Sequence, residues 1–443
     1  DGSPRYLVGC INEIGAKQKA DNVSGLLGEY SLKIFYESRS PKLPQGFLLR
    51  IGIDDFKNIN ESHGNEYGDY ILRRTAQCIE ENIGSEQSLF HIVADEFAVV
   101  DFSGGSVQQA EDLFHEIKKS IYAFIEQNQY KAVYTVSGGI VKNGDVDNSF
   151  ENAMKLSEFA LSEAKERGKN SCYVFEEEEY EDYLKSRTLL RQLHHAVNNG
   201  FEGFEAYFQP LVNAAKGELT GAETLLRFHS PEGGMVSPGE FIPILEESGL
   251  IIPVGRWVLR QALDACREWQ KILPEFKVNV NLSYVQVLKS RVLTDVRRIV
   301  DEFGVKPSSV CIELTESGYL EENERFDKVW NGLKEYGVLL ALDDFGTGYS
   351  NLRCLSDLKP AYIKIDRSFT LKALNREYEY RLLNHIVEMS HSLGLHVCVE
   401  GIETEGELTK AKQTEPDYIQ GFLFGKPCSR AEFTQKFFTK QAG

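Results

Sequence analysis

The sequence predicts an α/β chain in which a (β/α)8 barrel follows an α+β domain. One observation points to the barrel. Polar residues stand at the downstream ends of successive short apolar runs: Glu223 after ELTGA, Asn281 in KVNVN, Glu313 after SVCI, Asp343 and Asp344 after VLLAL, Lys364 in AYIKID and Glu400 after HVCV. Their spacings of 58, 32, 30, 21 and 36 residues are mostly one strand–helix unit long. Buried parallel strands read as continuous apolar runs, and strand-end residues of a barrel converge on one mouth. A second observation points to the α+β domain, where helical patterns mix with an apparent hairpin. So many carboxylates at one mouth repel one another unless cations stand between them, which predicts a metal-dependent site.

Taken in chain order, residues 1–20 read as a strand leading into a helical connector. Residues 21–175 hold the α+β domain. GFLLRIGID is a strand and GDYILRRTAQCIEENIG an amphipathic helix. SLFHIVADEFAVVDF gives two strands about a short turn, and AVYTVSGGIV another strand. Residues 176–198 begin with an acidic run, EEEEYEDYL, read as the solvated face of a helical linker. Residues 199–443 are the barrel. Trp257 and Trp269 fall on a helical apolar pattern and are assigned to packing.

Composition narrows the function classes. A net charge of −18 excludes broad binding to a nucleic-acid polymer, which needs an extended basic surface. It leaves room for a small anionic ligand, because bound metals or local cations reverse the field within a pocket. Eight scattered cysteines, without CxxC or zinc spacing, read as reduced core residues of a cytoplasmic chain. No apolar run approaches the roughly 18 residues of a membrane span. The chain lacks an initiating Met and reads as part of a longer protein, with room for a membrane-attached segment upstream.

The first domain carries words of a known family. IDDFKNINESHGNEYGDYIL, HIVADEFAVV, DNVSGLLGEY and ALSEAKERGKN resemble the GGDEF family of diguanylate cyclases. Two departures bear on activity. Gly52 stands where that family places a metal-binding Asp, so one hard ligand is missing. The signature loop reads Val93-Ala94-Asp95-Glu96-Phe97, with β-branched Val93 and Ala94 in place of glycines that allow positive φ and close approach to phosphate. The resemblance therefore implies a domain without cyclase activity. Asn60 and Asp69 match its guanine-recognising positions, and Lys165 and Lys169 its phosphate-contacting pair. Two readings stay open: a GTP effector pocket, or a structural domain in which Asn60 caps a turn and Asp69 starts a helix. The product-inhibition motif is absent, with Gly84 and Gln87 at its ends. Residues 1–20 resemble the closing strand of a PAS domain.

From AYFQPLV to YIQGFLFGKP, nine ordered segments resemble the EAL family of cyclic-di-GMP phosphodiesterases, which have a modified (β/α)8 barrel. The resemblance implies hydrolysis of cyclic di-GMP to linear pGpG with two Mg²⁺ or Mn²⁺ ions, hard cations suited to oxygen ligands. It assigns Glu223, Asn281, Glu313 and Asp343 to one cation, and Asp343, Asp344 and Glu400 to the second. Adjacent strand residues face opposite ways, so Asp343 and Asp344 both ligate only if the chain bends there. Lys364 is expected beside the attacking water, and Glu223, Lys364 and Glu400 are the expected catalytic set. Arg227 suits a substrate phosphate, Gln209 and Gln420 lie near the ligand, and Glu403 lies behind the metal ligands. Glu316 is expected to anchor the loop DDFGTGYSNL, and the same loop, near Tyr349, to support a homodimer.

Taken singly, any of these acids is more often a helix cap or a loop ion pair; it is the set in barrel register that points to metal. Departures are Thr224 in the signature triplet, Glu407 for the usual Gln, Asn351 for Ser, and Thr414-Glu415-Pro416-Asp417 for a Gly-Cys-Asp pattern. The alternative is an effector that binds cyclic di-GMP without cleaving it; such proteins typically lose metal ligands or the loop-anchoring Glu, and this chain keeps them.

Overall fold

A computed structural model describes residues 20–39, 46–129, 131–143, 149–315, 323–346 and 352–439. The PAS-like segment up to residue 19, Glu316 and most of the loop around Tyr349 lie outside the described residues. The chain divides into two compact units, Asp1–Leu184 and Lys185–Gly443.

The first unit is built on β1 (Phe47–Ile53), β2 (Gln87–His91), β3 (Glu96–Asp101), β4 (Val136–Lys142) and β5 (Cys172–Val174). The strands lie in the order β2-β3-β1-β4-β5. Central β1 is buried throughout, and its period of two feeds two cores. Leu49 and Ile51 pack with Ile71, Phe114 and Ile117 on one face, and Leu48 packs with Tyr36 and Phe159 on the other. Four strands are antiparallel as expected, but β4–β5 is parallel, because the helix Phe150–Glu166 crosses over between them.

The second unit contains β6 (Phe204–Asn213), β7 (Leu219–Ser230), β8 (Gly234–Val236), β9 (Lys277–Asn281) and β10 (Val310–Thr315). It continues with β11 (Leu339–Phe345), β12 (Tyr362–Ile365), β13 (His396–Val399), β14 (Tyr418–Gln420) and β15 (Cys428–Ser429). Eight of these close a barrel in the order β6-β7-β9-β10-β11-β12-β13-β14, with β14 returning to β6. β6 runs antiparallel to both neighbours and the other ring pairs are parallel, which makes the barrel a modified one. Helices such as Ile251–Trp269 and Val292–Phe303 bury their apolar faces against it. Trp269 is fully buried among Phe208, Phe276, Phe433 and Phe438, and its Nε1 donates to Thr434 Oγ1, a packing role.

The acidic stretch forms the start of one helix, Glu177–Asn198. It is more than a solvated connector. In the first unit Tyr180 and Tyr183 pack on Phe159; in the second, Leu193 and Ala196 join the barrel core.

Candidate active site

The barrel interior is set by alternation along each strand. On β9, Asn279 and Asn281 share the inner face. Glu313 lies on β10, Asp343 on β11 and Lys364 on β12, while Glu400 follows β13 immediately. Gln209 and Glu223 are direct partners across β6 and β7. Glu223 departs from the strand-end expectation: β7 continues seven residues past it, because a hairpin with β8 extends the strand.

Lys364 is fully buried and stands at the centre of this ring. Its Nζ donates to Glu313 Oε2 at 3.0 Å, Glu223 Oε2 at 3.1 Å and Asp343 Oδ2 at 3.3 Å. Glu400 Oε1 forms an ion pair with the same nitrogen at 2.8 Å. Glu223 is held further by Asn281 Nδ2, which donates to Oε1 at 2.9 Å, and by Gln420 Nε2, which donates to Oε2 at 2.7 Å. Gln420 Nε2 also donates to Gln209 Oε1 at 3.2 Å. A side chain at Gly421 would put its Cβ 2.0 Å from the Ile402 carbonyl oxygen, so only glycine lets the chain turn beside Gln420.

The bend required at the Asp pair is present. Asp344 has φ 57°, and the β11–β12 register shifts between Leu342 and Phe345. Aspartate is one of the few side chains that visits this left-handed region readily. The Asp344 N–H donates to Asp343 Oδ1 at 2.9 Å.

Electrostatics decide what such a ring needs. Ligand oxygens of Glu223, Glu313 and Asp343 lie within 4.8 Å of one another. At an effective dielectric of 20, each ionised pair that close repels by about 3.5 kcal/mol or more. One ammonium among five carboxylates does not offset this. Burial, with repulsion from neighbouring acids, pushes Glu313 well above the usual carboxylate range, Glu400 up to about 8 and Asp344 up to about 6. Asp343 moves the same way. Burial opposes ionisation of Glu223 too, but Lys364 and the hydrogen bonds from Gln420 and Asn281 outweigh it and hold its carboxyl below the usual range. Burial also works against the Lys364 charge, and the surrounding carboxylates hold its ammonium well above the ordinary lysine range. Without cations, then, the ring retains protons. The donor set is oxygen-rich, and Gln420 Oε1 is buried without a hydrogen-bond partner among the described residues; both features fit hard divalent cations.

Other expected residues stand apart. Arg227 follows Glu223 on the same face, roughly 13 Å further along the strand. Its half-buried guanidinium donates to the Leu226 carbonyl at 2.8 Å and lies 5.4 Å from the Tyr207 ring centre. Glu403 pairs with Arg367. Glu407 caps the helix Glu405–Lys412, its Oε2 accepting from the Glu403 and Thr404 N–H groups at 2.8 and 3.0 Å. Asn279 was not among the expected residues, yet its Nδ2 donates to Glu313 Oε1 at 2.7 Å. The alternation N-x-N on one strand was the signal available for it.

In the first unit three of the four expected nucleotide residues, Asn60, Lys165 and Lys169, meet other groups. Asn60 lies within the helix Phe56–His63 and Asp69 within Asn65–Glu80, so neither is a cap, contrary to the structural alternative. Asn60 Oδ1 instead rests where a Cβ at Gly68 would be, 1.8 Å from it. Lys169 Nζ donates to both Asp55 oxygens at 2.8 Å. Lys165 Nζ lies 2.9 Å from where a Cβ at Gly52 would stand, filling the space of the missing carboxylate. Ala94 takes φ 52°, the conformation a glycine would favour, and Glu96 is bound by Arg50 Nε and Nη2 at 2.7 and 2.6 Å.

Comparison with known proteins accords with this architecture. The EAL domain family model matches residues 190–427, and that of the diguanylate cyclase GGDEF domain matches residues 31–171. The chain is 28% identical over 381 residues to the bifunctional diguanylate cyclase/cyclic di-GMP phosphodiesterase MucR of Pseudomonas aeruginosa, covering 86% of this chain and 55% of that protein. It is 29% identical over 386 residues to the cyclic di-GMP phosphodiesterase PdeR of Escherichia coli, covering 87% and 58%. Among solved structures, a PaMucR phosphodiesterase in complex with c-di-GMP is 32% identical, with TM-score 0.52, and covers 56% of this chain and 99% of that one. The chain spans about half the length of the curated relatives it matches.

Proposed function

The chain belongs to the EAL family, with a GGDEF domain ahead of the EAL domain, and on that premise we propose that it hydrolyses cyclic di-GMP to linear pGpG. The observation that carries this reading is Lys364 Nζ within 3.3 Å of Glu223, Glu313, Asp343 and Glu400 at the barrel mouth. Two Mg²⁺ or Mn²⁺ ions, when bound, supply an activated water and offset charge on the phosphoryl oxygens. Glu223, Asn281, Glu313 and Asp343 would hold one, and Asp343, Asp344 and Glu400 would hold the other. The Lys364 ammonium orients the water and faces the negative charge that grows as water adds to phosphorus and the 3′-ester bond breaks. The departing 3′ oxygen ends as a hydroxyl. Arg227, some distance from the ring, grips a substrate phosphate, and Gln209 and Gln420 line the ligand's side of Glu223.

The GGDEF domain, in this reading, makes no cyclic di-GMP. It has no carboxylate at position 52, where Gly52 stands, Lys165 Nζ lies beside that position, and Glu96 is already paired with Arg50. Asn60, Asp69, Lys165 and Lys169 remain as the GTP-responsive set, through which GTP alters hydrolysis at the EAL domain.

The test is incubation with cyclic di-GMP and Mg²⁺, with products separated by chromatography. Linear product is expected, reduced at least about 100-fold in Glu223→Ala. Binding without turnover favours a non-catalytic effector instead. Cyclic di-GMP formed from GTP contradicts the account of the first unit, and a rate indifferent to GTP removes the regulatory part.

A further inference from the structure

Three ring carboxylates share one arrangement: one oxygen is taken by an amide N–H and the other faces Lys364. Asn281 Nδ2 holds Glu223 Oε1 at 2.9 Å, the Asp344 N–H holds Asp343 Oδ1 at 2.9 Å, and Asn279 Nδ2 holds Glu313 Oε1 at 2.7 Å. The second oxygens, Glu223 Oε2, Asp343 Oδ2 and Glu313 Oε2, all lie within 3.3 Å of Lys364 Nζ. The Asn279–Glu313 pair is the most enclosed. Glu313 has no exposed surface and Asn279 is buried, whereas Asn281 is exposed. Once Glu313 is ionised, as cation binding requires, its carboxylate only accepts, so the Asn279 amide then presents its nitrogen and cannot flip without leaving Oε1 unpaired.

We propose that Asn279 is a positioning residue that sets which divalent cation the site prefers, by restricting Glu313 to one coordinating oxygen. The inference rests on the cation-binding reading above. Ca²⁺ takes six to eight oxygens at about 2.3–2.6 Å and often uses both oxygens of a carboxylate, whereas Mg²⁺ demands a compact octahedron at about 2.0–2.1 Å. Three ring carboxylates that each offer one oxygen suit the smaller ions. Removing the Asn279 amide frees Oε1, lets Glu313 rotate, and opens the two-oxygen mode that Ca²⁺ favours.

The experiment uses chelator-treated full chain. Mn²⁺ is titrated with free ion read by electron paramagnetic resonance, and bound Mn²⁺ is then displaced with Ca²⁺. In Asn279→Ala, Mn²⁺ affinity is expected to fall about 10–100-fold, the range for loss of a partner that orients a metal ligand. Ca²⁺ affinity holds or rises, so the Mn²⁺-to-Ca²⁺ preference narrows at least about tenfold. Thermal unfolding of the cation-free protein separates this from misfolding, and Asn279→Ser is the second variant should alanine not fold. An equal loss for both ions, or an unchanged preference, overturns the inference alone. Wild-type protein that binds neither ion overturns the cation reading with it.

Discussion

Thr224 sits beside Glu223 yet faces the other way, into the packing between barrel and helices, as strand alternation requires. It is 1% exposed, and its Oγ1 has no hydrogen-bond partner among the described residues. Strand alternation therefore keeps this hydroxyl away from the Glu223 carboxylate. A buried hydroxyl without a partner costs about 1–3 kcal/mol relative to an apolar group of the same shape. Thr224→Val should therefore raise stability by about 1 kcal/mol in urea unfolding, with turnover within about twofold of wild type. A loss of stability would mean that the hydroxyl has a partner. Asn279 shows the reverse difficulty: VNVN places two amides on one face, but only the fold reveals that the first serves Glu313 and the second Glu223.

At the scale of elements, most strands were legible because buried parallel strands leave unbroken apolar runs. The bend at Asp343-Asp344 was legible too, since two adjacent side chains serve one site only where the pleat breaks, and the register shift falls there. The reversal of β6 was not readable from its residues, because direction leaves no mark on an apolar run. Glu407 looked like a departure at the site, and the structure gives it a local task. It closes a capping box with Thr404 and fixes the chain that follows Glu400. Glu407→Ala is expected to cost about 1 kcal/mol in denaturant unfolding, as loss of a cap does. Glu407→Gln, whose amide oxygen accepts the same N–H groups, should stay within about 0.5 kcal/mol of wild type. Equal costs for the two would contradict the capping role.

Across the whole molecule, two units divide the work that the sequence suggested. The first keeps its sheet and both cores, while Lys169, one of the residues expected to contact phosphate, is paired with Asp55, and Glu96 of the signature loop is paired with Arg50. That rearrangement was hidden in the sequence, because a missing carboxylate at Gly52 does not say what fills its place. The second unit gathers carboxylates from strands that are far apart in the chain, and here the sequence said most, since their spacing followed the strand–helix repeat. Burial makes that ring keep protons unless positive charge enters it. Anomalous diffraction at the manganese edge, from crystals grown with Mn²⁺, examines this directly. Two peaks are expected at the barrel mouth, about 2.2 Å from oxygens of Glu223, Glu313, Asp343 and Glu400, with Lys364 displaced from the centre of the ring. An empty mouth at saturating Mn²⁺, with Lys364 still bridging the carboxylates, would contradict the account.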